Sequence, residues 1–209
     1  MVTTDRPGHI IILNGAPRSG KSSIVAAFQR RTDELWMNLG VDRFMPMAPQ
    51  WVQPGVGLRP GGERPDLERA LPSLYAALYE SIAAHSRLGL NVIVDVGHHD
   101  WYSRPLAILP DCARRLAGLP ALFVGVRCPL DAIIARRRAT GWEMGEPGGA
   151  IERAIVRWQT AVHTLGIYDL EVDTSQLSPE ACVAAIDARL GDGREPTALR
   201  RLAALTAEP

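Results

Sequence analysis

Apolar runs of strand length alternate along this chain with stretches whose apolar positions recur every three or four residues. His9-Ile10-Ile11-Ile12-Leu13-Asn14 is a β-branched run, and Ile24, Val25, Ala27 and Phe28 follow at near-helical spacing through Arg31. Trp36 to Asp42 reads as a short second strand ending in a carboxylate. From Asp66 to Leu88, Leu67, Leu71, Leu74, Leu78 and Ile82 mark an amphipathic helix with Asp66 as its N-cap, closed by Gly89. Asn91 to Val96 then resembles a strand buried on both faces. Further strands are predicted over Ala121–Arg127 and Leu170–Asp173, and further helices over Ser103–Leu116, Leu130–Thr140, Ile151–His163 and Pro179–Leu190. This alternation predicts an α/β fold with a parallel sheet of about five strands, covered by helices on both faces.

Residues 46–65 break the rhythm. Pro46, Pro49, Pro54, Pro60 and Pro65, with Gly55, Gly57, Gly61 and Gly62, exclude a regular helix there. Met45, Met47, Trp51 and Val52 give the segment enough apolar content to fold over a ligand, so it is read as a substrate-covering loop. With 209 residues, 46% of them hydrophobic, the chain holds one substantial core. Residues 1–190 are therefore read as one domain with a lid region at 129–150, followed by a tail at 191–209. Leu199, Leu202 and Leu205 stripe one face of the tail if it is helical, and a frayed terminus is the alternative.

Acidic and basic residues balance at 23 each, which gives no electrostatic footprint for nucleic acid or an anionic membrane. Ile10–Leu13 is too short to span a bilayer and lacks the flanks of a signal peptide, so a cytoplasmic protein is expected. Cys112, Cys128 and Cys182 are too scattered for a disulfide framework or a metal pair. Nothing in the sequence sets a limit on homo-oligomer formation.

The basic residues carry a sharper signal. Of 23, only Lys21 is lysine, and it lies in Gly15-Ala16-Pro17-Arg18-Ser19-Gly20-Lys21-Ser22, a complete G-x-x-x-x-G-K-[ST] motif between a strand and a helix. A compact ammonium fits between phosphates where a planar guanidinium does not. The motif from Gly15 to Ser23 is thus expected to cradle the phosphates of ATP or GTP on loop amides at a helix N-terminus. Lys21 would reach the β- and γ-phosphates, and Ser22 would ligate Mg²⁺.

Ligands of open α/β sheets lie at the carboxyl ends of the strands. Asp95, closing its run, is expected to hold Mg²⁺ with Ser22, and Asp42 to act as general base toward an attacking hydroxyl. On the Leu130 helix, Arg136, Arg137 and Arg138 point about 100° apart, so only one or two can face a phosphate. Arg136 is assigned to the transferring group, and Arg137 and Arg138 to the substrate side together with Met45, Trp51 and His98. A transition-metal site at His98-His99-Asp100 is disfavoured, because adjacent histidines make poor joint ligands. His163, among apolar neighbours, is read as structural.

From Ile10 to about Ile186 these residues resemble the chloramphenicol phosphotransferase-like family of P-loop kinases. The landmarks are Ile11-Ile12-Leu13-Asn14-Gly15, Gly40-Val41-Asp42, Val94-Asp95, Val124-Gly125-Val126-Arg127-Cys128, Val162-His163 and Tyr168-Asp169-Leu170-Glu171-Val172-Asp173-Thr174. The resemblance implies that Asp42 deprotonates a primary hydroxyl of the acceptor. The chain departs from the family where Arg-Gly-Asp-Arg commonly follows the lid helix, showing Thr140-Gly141-Trp142-Glu143 instead, and where paired aspartates often stand it has Asp95-Val96. The expected activity is transfer of a γ-phosphoryl group to a hydroxyl of a small molecule, with a chloramphenicol-like or nucleoside antibiotic as acceptor. A metabolic or toxin-type kinase and a nucleotide-binding switch are the alternatives.

Overall fold

A computed structural model describes residues 6–31, 34–52, 58–141 and 149–205. Strands β1 (Ile10–Asn14), β2 (Trp36–Asn38), β3 (Asn91–Val96), β4 (Ala121–Arg127) and β5 (Leu170–Asp173) form one parallel sheet in the order β2-β3-β1-β4-β5. The helices are α1 (Lys21–Arg31), α2 (Val41–Phe44), α3 (Pro65–Glu68), α4 (Leu71–Arg87), α5 (Ile108–Arg115), α6 (Leu130–Ala139), α7 (Ala150–Ala161), α8 (Pro179–Gly191) and α9 (Ala198–Ala203). The expected architecture is present.

The central strand sorts its residues between two cores, because successive side chains point to opposite faces. Ile10 and Ile12 pack with Leu78 and Ile82 of α4, Ile108 and Cys112 of α5, and Leu199 and Leu202 of α9. Ile11 and Leu13 pack with Ile24 and Phe28 of α1 and with Val183 and Ile186 of α8. Full burial of each such side chain contributes about 1.5–3 kcal/mol. From β1 the chain passes to β2 and β3 on one side and then crosses to β4 on the other, so the loop after β1 stands at the switch point where open α/β sheets bind ligands.

Several boundaries differ from expectation. The second strand ends at Asn38, whose side-chain carbonyl accepts the Gly40 N–H at 3.1 Å; Gly40 O then accepts from Arg43 and Phe44, starting a helix. Asp42 therefore sits in the first turn of α2, not on a strand. The helix expected from Asp66 is split into α3 and α4. Pro72 removes a donor and its ring opposes the carbonyl four residues back, while Asp66 pairs with Arg64 in place of capping. The helix expected from Ser103 begins only at Ile108, since the Asp100 carboxylate takes the Leu106 and Ala107 amides and Ala107 turns left-handed at φ 50°. The tail is no frayed end as far as Leu205: α9 buries Ala198 and Leu202 against α5 and β4. In the covering segment, Met45–Met47 and Gln50–Val52 form 3-10 turns. Positions 53–57, and 142–148 of the expected lid, lie outside the described residues.

Candidate active site

Gly15 to Ser23 leave the carboxyl end of β1 and wrap the N-terminus of α1. A helix start carries unpaired N–H groups and partial positive charge, which suit it to phosphate. Glycine is required at Gly20, with φ at 94°, and at Gly15, where an added Cβ would stand 2.6 Å from the Val126 carbonyl oxygen. Arg18 takes a left-handed φ of 68° without being glycine, and such strain clusters at ligand sites.

Lys21 Nζ donates to the carbonyls of Gly15 at 2.8 Å and Ala16 at 2.9 Å, so its ammonium lies across its own loop. Burial pushes its pKa down to about 8, with Asp95 and Asp42 opposing the shift. Ser22 Oγ donates to Asp95 Oδ2 at 2.8 Å. The parallel register, which sets Asp95 beside Leu13, brings this pair together. A hydroxyl and a carboxylate oxygen so placed are the hard donors that Mg²⁺ takes, so the residues present fit that ion. Gly40 makes room for them, since a Cβ there would fall 1.7 Å from Asp95 Oδ1.

Asp42, exposed on α2, lines the same cavity of about 1010 Å³ as the loop, Lys21, Ser22 and Asp95. Away from the loop the lining turns apolar and aromatic: Leu58, Leu71, Tyr75, His99, Tyr102 and Trp158. The His99 ring lies tilted against Tyr102 with centroids 4.3 Å apart and meets Trp158 edge-on at 4.9 Å. Burial drives the His99 pKa down to about 4, so the ring is neutral near pH 7. Its Nδ1 accepts the Trp101 N–H, which leaves the proton on Nε2. Gly97 admits the Trp158 ring, whose Cζ3 would lie 3.3 Å from an added Cβ.

The other predicted residues divide. Arg136 and Arg137 line the cavity; Arg138 is exposed outside the lining, as the helical angle between neighbours requires. Arg136 is engaged behind the loop, donating to Thr174 Oγ1 at 3.0 Å, Thr174 O at 2.6 Å and Arg18 O at 3.4 Å. Thr174 Oγ1 donates in turn to Ser19 O at 2.7 Å. Met45 is buried in its 3-10 turn and Trp51 is 71% exposed, and neither reaches the cavity. His98 faces the core, its Nε2 2.8 Å from the Tyr79 hydroxyl, and the histidine that lines the cavity is its neighbour His99. His163 Nδ1 meets the Tyr168 hydroxyl at 2.7 Å, next to Asn14, in a network behind the loop. Tyr75, Tyr102 and Trp158 had no local mark in the sequence. The alternation continuing past β3 was the available signal that His98 and His99 face different ways.

Comparison with known proteins gives the family and the fold. A family model described as chloramphenicol phosphotransferase-like protein matches residues 8–191. The Mycobacterium tuberculosis (strain H37Rv) protein named "Putative O-phosphotransferase Rv2636" is 28% identical over 196 residues, covering 80% of this chain and 76% of that protein. Among solved structures, the Deinococcus radiodurans tunicamycin resistance protein superposes with a TM-score of 0.57 at 16% identity, covering 88% of this chain and 96% of the other. Shikimate kinase from Acinetobacter baumannii does so with a TM-score of 0.59 at 9% identity, covering 91% and 96%. At such identities the two structures establish a shared fold and no more.

Proposed function

The chain belongs to the chloramphenicol phosphotransferase-like family, and from that premise we propose that it moves the γ-phosphoryl group of ATP or GTP to a hydroxyl of a ring-bearing small molecule, an antibiotic of chloramphenicol-like or nucleoside type. It is a phosphotransferase with an alcohol acceptor. The observation that carries the finer reading is that Asp42 and the group Lys21, Ser22 and Asp95 line a single cavity. Donor and acceptor then meet without either leaving the site.

The loop amides and Lys21 hold the donor phosphates, and Ser22 and Asp95 are the residues that would hold Mg²⁺. When bound, Mg²⁺ offsets charge on the phosphate oxygens. Asp42 accepts the proton of the acceptor hydroxyl as its oxygen bonds to the γ-phosphorus and the bond to the β-phosphate oxygen breaks. Neutral His99, with Tyr102 and Trp158, offers flat apolar faces for a ring and keeps water from the transfer. Arg136, tied to Thr174 and to the Arg18 carbonyl, positions the loop.

The test is a panel of hydroxylated antibiotics and core metabolites incubated with nucleotide and Mg²⁺, read by mass spectrometry for added phosphate. Modification of a metabolite alone would replace the antibiotic reading with a metabolic one, and hydrolysis with no modified acceptor would favour a switch. With a modified acceptor in hand, Asp42→Asn should lower transfer by about 10²–10⁴ while nucleotide affinity holds. Equal turnover in both proteins would remove Asp42 from the mechanism.

A further inference from the structure

Beside Arg136, which is engaged by Thr174, three more guanidinium groups from three separate segments line the cavity: Arg18 from the loop after β1, Arg137 from α6 and Arg59 from the covering segment. Like charges brought into one cavity raise the local positive potential and favour an anion there. The Arg137 pKa is lowered, first by burial and then by Arg18 and Arg59. Arg59 and Arg18, a residue of the phosphate-type loop, thus both lie within electrostatic reach of the same guanidinium.

Arg59 is held where it is by anchors on either side. Leu58, just before it, is buried in the core and also lines the cavity. Past it, the Gly61 N–H donates to the Trp101 carbonyl at 2.6 Å, and Gly61 and Gly62 take φ values of 130° and 69°. Glu63 pairs with Arg157 of α7 at 3.0 Å. Farther on, the buried Glu68 carboxylate accepts the Ser103 amide at 3.1 Å and the Ser103 hydroxyl. The next arginine, Arg64, is taken up by Asp66 at the surface and does not line the cavity.

We propose that Arg59 is a catalytic residue which, beside Arg18 and Arg137, places its guanidinium on the γ-phosphate of the bound nucleotide. This rests on the phosphotransferase reading above. A planar fork gives paired N–H donors to phosphate oxygens, and in the transfer it stabilises charge on the moving group. Because Leu58 belongs to the apolar wall, adjacent residues of the covering segment serve acceptor and donor.

The test is calorimetric titration of the full chain with Mg²⁺ and either ADP or the non-hydrolysable β,γ-imido analogue of ATP. Wild type, Arg59→Ala, Arg59→Lys and the same-segment control Arg64→Ala are compared, each checked for its melting transition. Arg59→Ala should lose about tenfold in affinity for the triphosphate analogue and less than about twofold for ADP, as expected for a charge-assisted hydrogen bond to one phosphate. Arg59→Lys should restore only part of the loss, and Arg64→Ala should match wild type. Equal losses for both nucleotides, a loss for neither, or a matching loss in Arg64→Ala overturns the assignment. If Arg59→Ala does not fold, Arg59→Lys decides alone: triphosphate affinity equal to wild type overturns the proposal. Wild type that binds neither nucleotide sinks the phosphotransferase reading itself, whereas wild type that binds both alongside an unaffected Arg59→Ala sinks only the role of Arg59.

Discussion

Lys21 shows how one residue type is fixed by its surroundings. Its ammonium already sits on two carbonyls of the loop, and burial has lowered its pKa to about 8. A lowered pKa means the unliganded protein releases that proton as pH rises through about 8, and phosphate must then bind a neutral amine. Bound phosphate raises the pKa again, so binding near pH 8 takes up a proton. Nucleotide affinity should accordingly be flat below about pH 7 and fall above pH 8 by up to about tenfold per unit. Calorimetry in buffers of different ionisation enthalpy would measure both effects, and affinity unchanged from pH 7 to 9.5 would contradict them. At this scale the sequence was readable where chemistry is local. The motif placed Gly15 to Ser23 because loop and helix start are built from consecutive residues, whereas Arg59, Tyr75 and Trp158 acquire meaning only when distant segments meet.

Among the elements, α2 is the informative one. The sequence put Asp42 on a strand because Trp36 to Asp42 lacks an obvious break, yet the Asn38 side chain ends β2 early and Gly40 begins a helix. Gly40 is tied to the Ser22–Asp95 pair by contact: its hydrogen faces Asp95 where no Cβ fits. Gly40→Ala should therefore displace either Asp95 or α2. The expected result is a loss of about tenfold in Mg²⁺-dependent affinity for the triphosphate analogue, the scale of supporting-residue effects at metal sites, with Mg²⁺-free binding kept. A parallel loss without Mg²⁺ would point to a collapsed loop instead. The split between α3 and α4 was hidden for a related reason. The stripe Leu67, Leu71, Leu74 is continuous, and Pro72 outweighed it.

Across the whole molecule, the alternation of apolar runs and helical stripes was enough to anticipate the sheet and its two covered faces, since strands buried on both sides must be nearly continuous in apolar residues. What it left undecided was whether the last helix belongs to the fold. Leu202 of α9 is fully buried in the core shared with α5 and β4. Leu202→Ala should cost about 2–5 kcal/mol of stability in chemical denaturation, with ADP affinity at 25 °C unchanged. A loss under about 0.5 kcal/mol, the size of ordinary surface substitutions, would mean α9 is an appendage.

The two faces of the sheet also divide the labour of the cavity. Residues packed with Ile10 and Ile12 include Leu71, Tyr75 and Tyr102 of the cavity's apolar wall, while Ile11 and Leu13 back onto Ile24 at the start of α1, which follows the glycine loop. Neighbouring positions of one strand thus belong to separate packing problems. On the proposed function, a lineage or a mutant library can remodel the first face in search of new acceptors while the second is left intact, so substrate range is free to diversify without repeatedly reinventing the energy source.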